Sequence, residues 1–321
     1  MTTDTTIVDA AGRPIAIGQT PRRVLASGNP AAAAITCVAP NALIGWPEPI
    51  PGQVAPVADS LPTAARLNAH ELAPSVAAVK HAAPDLVLDY GTCDDAFITF
   101  ADALQAETGV PAAIVDGRLE NSGETLALLG RLLGAEDRAA FLASLWRRIW
   151  ASVETTLAEA EEPGPRVHYA IGPKGEKTVR LGSIHLEALA ILGATNVAAV
   201  EHGAGGRVAV DAGDVEHWDP DLILTIDPSF HCNAYELPVW RSTRAVREGR
   251  VYLAPAPVLS WFDYPPSLNR IIGLAWLARL FYGDAYHADV ETEARAFHSA
   301  YYGIDLERKA ITAMLAKAGL A

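Results

Sequence analysis

The chain has 321 residues, half of them apolar and a fifth charged, with a formal net charge of −13. That length accommodates two lobes of ordinary domain size. The acidic balance, without a long basic run, argues against nucleic acid or an anionic membrane surface as partner, and no window of about eighteen unbroken apolar residues offers a membrane span.

At the amino end, MTTDTTIVDAAGRP has neither the basic nor the apolar region of a secretory signal peptide. Either a signal has been removed and the protein works in the periplasm or as an extracellular lipoprotein-like form, or it stays in the cytoplasm. Residues 6–17 alternate around AGRPI and predict a hairpin. VLA, ending at Ala26, predicts the first parallel strand, followed by a helix over 31–38. ALIGW, ending at Trp46, reads as the next short strand, and the proline-dense segment 47–62 as a surface loop. A helix before Pro84, a strand over 85–89, a helix over 97–108 and a strand in PAAIVDGRL, whose carboxyl end carries Asp116 and Arg118, complete the first half.

Between residues 130 and 162, Leu142, Leu145, Trp146, Ile149, Trp150, Val153 and Leu157 form the stripe of one amphipathic helix, with Arg147 and Arg148 off it. Such a helix spans roughly 30 to 38 Å, long enough to act as a strut. Pro163, Gly164 and Pro165 end it. Beyond it, RVHYAIGP and KTVRLG predict strands, 185–192 a helix, and 193–210 a mobile, glycine-rich surface connection. GRVYLAP gives the last strand. After the aromatic loop 260–266, the segment 268–281 is apolar nearly all round and should be a buried helix, with two further helices outside it.

An internal repeat organises these elements. VKHAAPDLVL, from Val79, matches VEHWDPDLIL, from Val215, at Val, His, Pro, Asp, Leu and the final Leu. Each copy reads as a helix end, a proline turn that cannot continue the helix, and a buried strand, the αβ half of a βαβ unit. The expected fold class is therefore α/β: two Rossmann-like lobes with parallel sheets, 1–129 and 163–321, joined by a single long helix, 130–162, with a ligand cleft between the lobes.

Ligands of open parallel sheets sit outside the carboxyl ends of the strands. The loops expected there carry Trp46, Tyr90, Thr92, Cys93 and Arg118 in the first lobe. In the second they carry Tyr169, Phe230, His231, Cys232, Trp261, Asp263, Tyr264 and Arg270. This density of aromatic and polar side chains on loops points to binding rather than catalysis. No nucleophile elbow, Walker glycine loop or paired-carboxylate motif appears. His231 and Cys232, with Cys93 on the matching loop, are the metal candidates, since imidazole and thiolate suit zinc, iron or copper. Spacing fixes no third ligand. His81 and His217 occupy the same helix-end slot of the repeat and read as structural. His70, His185, His202, His287 and His298 have no ligand spacing with one another and are given no role. Trp261, Phe262 and Tyr264 either plug the base of the second lobe or meet a ligand. The helix start beside them is an anion site in principle, with Arg270 one turn in.

DAAGRPIAI followed by PRRVLA, then APDLVLDYG, DPDLILTIDP and REGRVYLAP, resemble the substrate-binding proteins of ABC importers for iron complexes, cobalamin and haem, the helical-backbone or class III family. WFDYPPSLNRIIGLAWLARLFYG resembles the branch that also includes molybdate and tungstate binders. The resemblance covers nearly the whole chain. It implies two α/β lobes bridged by one helix, with little closure on binding. It implies no enzyme activity and no covalent cofactor, but capture of an iron chelate or metal oxoanion for delivery to an ABC permease. For an oxoanion, Arg118, Arg270, Tyr90, Tyr169 and loop amides would donate. For a siderophore-type chelate, Trp46, Trp261, Phe230 and Tyr264 would pack on the organic shell and the arginines would neutralise its acids. In that family a glutamate stands seven residues before each repeat proline and meets permease arginines. Those places hold Ala77 and Gly213 here, with Glu71 or Asp214 as substitutes. The alternative is a cytoplasmic metal-binding or metal-insertion protein, or a metal-dependent enzyme on the same fold.

Overall fold

A computed structural model describes residues 5–48, 63–198 and 207–320. Most of the proline-dense segment, and the glycine-rich stretch around His202, lie outside these residues. The chain forms two compact units. The first comprises Met1–Arg148 with Pro265–Leu268 and Ala300–Gly303, and the second comprises Ile149–Tyr264, Asn269–Ser299 and Ile304–Ala321.

In the first unit, strands β1 (Thr5–Val8) and β2 (Pro14–Ile17) form the hairpin. Asp9 closes its turn by accepting the amides of Ala11 and Arg13, and its second oxygen accepts the amide of Ile114 at 3.1 Å. Strands β3 (Val24–Ala26), β4 (Leu86–Gly91) and β5 (Ala112–Asp116) are parallel in the order β3-β4-β5. Their side chains are buried on both faces, which is why each reads as a continuous apolar run. Leu25, Val87 and Ile114 of these strands share a core cluster with Val79 of helix α2 (Leu72–Ala82) and Leu104 of helix α3 (Asp95–Thr108), and helix α1 (Asn29–Val38) is buried along nearly all its length. ALIGW is not a strand. Its pairing stops at single bridges from Leu43 to Val24 and from Trp46 to Thr63, since Gly45 and Pro47 leave too short a run to extend a ladder.

The expected bridging helix is shorter than 130–162. Gly130 belongs to helix α4 (Ser122–Leu133), which ends at Gly134 in the left-handed conformation. Helix α5 then runs from Glu136 to Glu159, 24 residues or roughly 36 Å. A Cβ at Gly130 would stand 2.8 Å from that of Ala139, so the absent side chain lets the two helices meet at the corner. Leu142, Leu145, Ile149 and Val153 are buried, while Arg147 and Arg148 are exposed. The division between units falls inside this helix.

The second unit carries strands β6 (Arg166–Ala170), β7 (Lys177–Val179), β8 (Thr195–Asn196), β9 (Arg207–Ala209), β10 (Leu222–Thr225) and β11 (Val251–Leu253). Four of them make a parallel sheet in the order β11-β10-β6-β8, while β7 and β9 form an antiparallel pair. The segment expected as a helix over 185–192 is a 3-10 turn, Ile184–Leu186, capped by Ser183, and then a short helix α6 (Glu187–Ile191). Helices α7 (Ala212–Trp218) and α8 (Pro228–Asn233) flank β10, and α9 (Arg270–Tyr282) is buried from Arg270 to Ala278. A Cβ at Gly273 would stand 1.9 Å from the carbonyl oxygen of Trp261, so only glycine lets the aromatic loop lie on α9. No helix among the described residues is long and apolar enough to cross a membrane.

The repeat is a repeat of structure. Ala83 and Asp219, the left-handed caps of α2 and α7, are the non-glycine residues at positive φ among the described residues, and each stands directly before the repeat proline. The following aspartates, Asp85 and Asp221, accept the backbone amides of Arg23 and Arg166 at 2.9 and 2.8 Å. Those arginines in turn donate to the last carbonyls of the two helices, Ala82 and Trp218, both at 2.7 Å. Each Pro-Asp-Leu thus locks a helix end to the start of the neighbouring strand.

Candidate functional site

Both repeat strands feed a loop closed by an aspartate cap. After β4, Asp94 accepts the amides of Ala96 and Phe97, and the Thr92 hydroxyl donates to its other oxygen at 2.9 Å. After β10, Asp227 accepts the amides of Ser229 and Phe230. Thr92 is exposed. Tyr90 is buried, with its ring against Gly117, where an added Cβ would come within 3.0 Å. Trp46 is 5% exposed, and its indole N–H has no hydrogen-bond partner among the described residues.

Arg118 differs from the expected open clamp. Its side chain is exposed, but its guanidinium lies on Asp116, with Nη2 at 2.6 Å and Nε at 3.0 Å from Oδ2. Burial alone would raise the Asp116 carboxyl. The Arg118 bonds, with Asn121 donating at 2.7 Å, hold it below its ordinary value. Ser27 donates to Asp89, whose carboxyl burial pushes up. Burial, and then the charges of Asp116 and Asp9, push up the half-buried Cys93 thiol, which disfavours a thiolate ligand there.

In the second unit several expected ligand contacts are interior residues. Phe230 is wholly buried and meets Trp240 edge-on at 5.2 Å. Trp261 is buried, its indole N–H directed at Nε2 of His298 at 3.4 Å. Arg270 is 1% exposed and donates to the Ile184 carbonyl at 2.6 Å and to Glu187 at 3.2 Å. All three are buried and packed or bonded within the unit. A strand-end position in the sequence does not say towards which layer a side chain turns. Tyr264 and His231 are half-buried and Cys232 is exposed. Burial, then the Lys317 charge, lowers the His231 pKa. Among the described residues no three of His, Cys, Asp and Glu form a group able to hold a metal ion.

Tyr169 is also fully buried, but it ends in a polar cluster. Its hydroxyl donates to Oδ2 of Asp263 at 2.6 Å, and burial with that carboxylate raises the phenol well above its usual range. The other Asp263 oxygen meets Nδ1 of His185. Asp263 sits on the loop after β11 and is 2% exposed. The His185 side chain, on the 3-10 turn before α6, is 29% exposed. The Asp263 amide donates to Ser260 Oγ at 3.4 Å within its own loop, and Arg270 at the start of α9 donates to the Ile184 carbonyl beside His185. Nε2 of His185 has no partner among the described residues. Arg207, exposed on β9, makes no ion pair among them, and its charge reaches the Tyr169 phenol. Sequence reading gave His185 and Arg207 no role. The only signal for His185 was the capping serine two residues before it, which marks the turn and not the partner.

No family model matches the sequence, and no curated protein matches it. Solved structures do. An ABC transporter solute-binding protein from Sulfurospirillum deleyianum is 26% identical, with a TM-score of 0.85 over 96% of this chain and 98% of that one. A periplasmic solute-binding protein from Veillonella parvula is 20% identical, with a TM-score of 0.76 over 98% and 97%. MolA of Haemophilus influenzae, a molybdate periplasmic binding protein solved with molybdate, is 16% identical, with a TM-score of 0.76 over 95% and 99%. Two parallel-sheet units built on one repeat, dividing within a long helix, give this chain the fold of the class III solute-binding proteins of ABC transporters.

Proposed function

We propose that this protein is the substrate-binding component of an ABC importer and captures a small metal species, with no catalytic step of its own. The likeness to the Sulfurospirillum solute-binding protein over nearly the full length of both chains carries this reading. Of the two cargo classes, an iron-type chelate is favoured over a bare oxoanion. Both arginines expected to clamp an oxoanion are committed within the protein, Arg118 to Asp116 and Arg270 to Glu187 and Ile184. Arg207 is the cation better placed to meet an acidic chelate.

The partner implied is a permease, with the protein working on the outer side of the membrane that holds it. Ala77 and Gly213 are exposed and uncharged, so docking through acids would rest on exposed Glu71 and half-buried Asp214.

Native mass spectrometry with elemental analysis of freshly purified protein, followed by a thermal-shift panel of ferric chelates, molybdate, tungstate and cobalamin, tests the reading. A true cargo at a hundred times its Kd stabilises by about 2.7 kcal/mol. A flat response to the whole panel sinks it.

A further inference from the structure

Resting on the capture reading, we infer that the antiparallel pair β7 and β9, with the turn after β7, is a cationic docking surface on the second unit, and that it fits an acidic face of the membrane-embedded permease. Lys174 and Lys177 are exposed and Arg180 is half-buried, all on β7 and its flanks. The register sets Lys177 opposite Ala209 and Val179 opposite Arg207, so Lys177 and Arg207 share one face as diagonal neighbours. Long side chains reach each other across that diagonal, and two like charges there repel until an acidic partner arrives. The acids nearest in the chain are spent on backbone. Glu176 accepts the Lys174 amide at 2.9 Å, its carboxylate lying against Gly172, and Asp211 accepts the Asp214 amide at 3.0 Å to cap α7. A surface of positive sign thus stands on a chain whose net charge is −13.

The backbone beneath these charges is held in place. The Trp240 indole N–H donates to the Lys174 carbonyl at 2.7 Å, an added Cβ at Gly175 would stand 2.5 Å from Phe230, and Thr178 and Val179 are buried. The Val210 amide donates to the Glu176 carbonyl at 3.0 Å and ties the end of β9 to the start of β7. Charges on so fixed a backbone meet a partner without the ordering cost of a free loop. Leu181, next to Arg180, is 52% exposed. A large apolar side chain among cations fits a protein surface, where it packs inside a charged rim, better than it fits a free anion. Acids on the partner steer the approach, so docking of this unit runs from cation to acid rather than through Asp214.

The test places a photo-crosslinking benzoylphenylalanine at Leu181 of the full chain and adds the protein to membrane vesicles from the cells that make it. Protein-free vesicles of phosphatidylglycerol run beside them. The cross-link should fall on a permease peptide flanked by aspartate or glutamate, and association should slow by about tenfold or more as salt rises from about 0.05 to 0.5 M. Lys174→Glu with Lys177→Glu should cut the cross-link yield by about tenfold or more, with Lys174→Gln and Lys177→Gln in between. Both pairs should keep the circular dichroism and the thermal-shift response to ferric citrate, molybdate and cobalamin. If the glutamate pair fails to fold, the glutamine pair decides alone. A yield indifferent to salt and to both pairs overturns the docking surface, as does no cross-link at all. So does a cross-link to a second copy of this chain, equal binding to the phosphatidylglycerol vesicles, or a lost thermal-shift response in the variants, which would make the lysines cargo contacts. A flat thermal-shift panel beside an intact, salt-sensitive cross-link removes the capture reading and leaves the surface standing.

Discussion

The two units share a strand-entry device down to the same helix-capping arginine, yet treat the polar groups beyond their strands in opposite ways. In the first unit, the exposed Arg118 side chain folds back onto Asp116, which is half-buried and also takes Asn121, so one partner of the pair stays in water. In the second, Tyr169, Asp263 and Arg270 are drawn inside, and their partners Glu187 and His185 stay partly at the surface. Duplication therefore supplied a scaffold, and the difference between copies lies in how much burial each spends on orienting a side chain. A buried, fully bonded network is stiff, because every displacement breaks a bond that water cannot replace.

Acid should separate the units most strongly. His168 is buried on β6 between Trp218 and Trp240, and burial pushes its pKa down to about 3. Burial lowers His298 to about 4, with the Ala294 carbonyl opposing in part. Both belong to the second unit, and both lie below the ordinary 6.5, so the unfolded chain binds their protons first. Their contribution is complete above about pH 6.5 and is lost as pH falls towards 4 and 3, by up to roughly 1.4 kcal/mol per pH unit for each. Asp116, in the first unit, loses its contribution only below the ordinary carboxylate value of 3.8. Hydrogen exchange between pH 7 and 4 should show the second unit opening first, and His168→Phe should flatten the slope by one proton. Simultaneous loosening of both units would break the comparison.

Next in size is Gly273→Ala. With 1.9 Å between the new Cβ and the Trp261 carbonyl, overpacking should cost on the order of 3 kcal/mol in urea unfolding. A neutral result would mean that the aromatic loop is not held against α9. Tyr169→Phe removes a donor from a buried carboxylate and should cost about 2 kcal/mol, with the deficit confined to protection around Asp263 and His185. At the small end, Arg118→Ala breaks an exposed pair and should cost less than about 1 kcal/mol. A larger loss would show the first unit to be as rigidly bonded as the second.

Periodicity and punctuation are local properties, so the sequence by itself determined the two sheet-and-helix halves, the buried stripe of α5, the buried helix α9 and the turns at Ala83 and Asp219. The residues that decide those features lie within a few positions of one another. It also drew Tyr169 and Asp263 into one set, as side chains expected beyond strand ends. Local pattern did not give the depth at which Phe230, Trp261 and Arg270 lie, because burial depends on which layer a strand end or helix start turns towards. It was silent on His185, whose partner Asp263 is 78 residues away, with Tyr169 94 residues from that same acid. β11 and β6 are not neighbours in the sheet, since β10 lies between them, so the meeting of Asp263 with Tyr169 is decided by packing over the whole unit. The tertiary structure alone therefore decided which histidine meets the buried acid: a hydrogen bond across so many residues leaves no mark in the spacing of either partner.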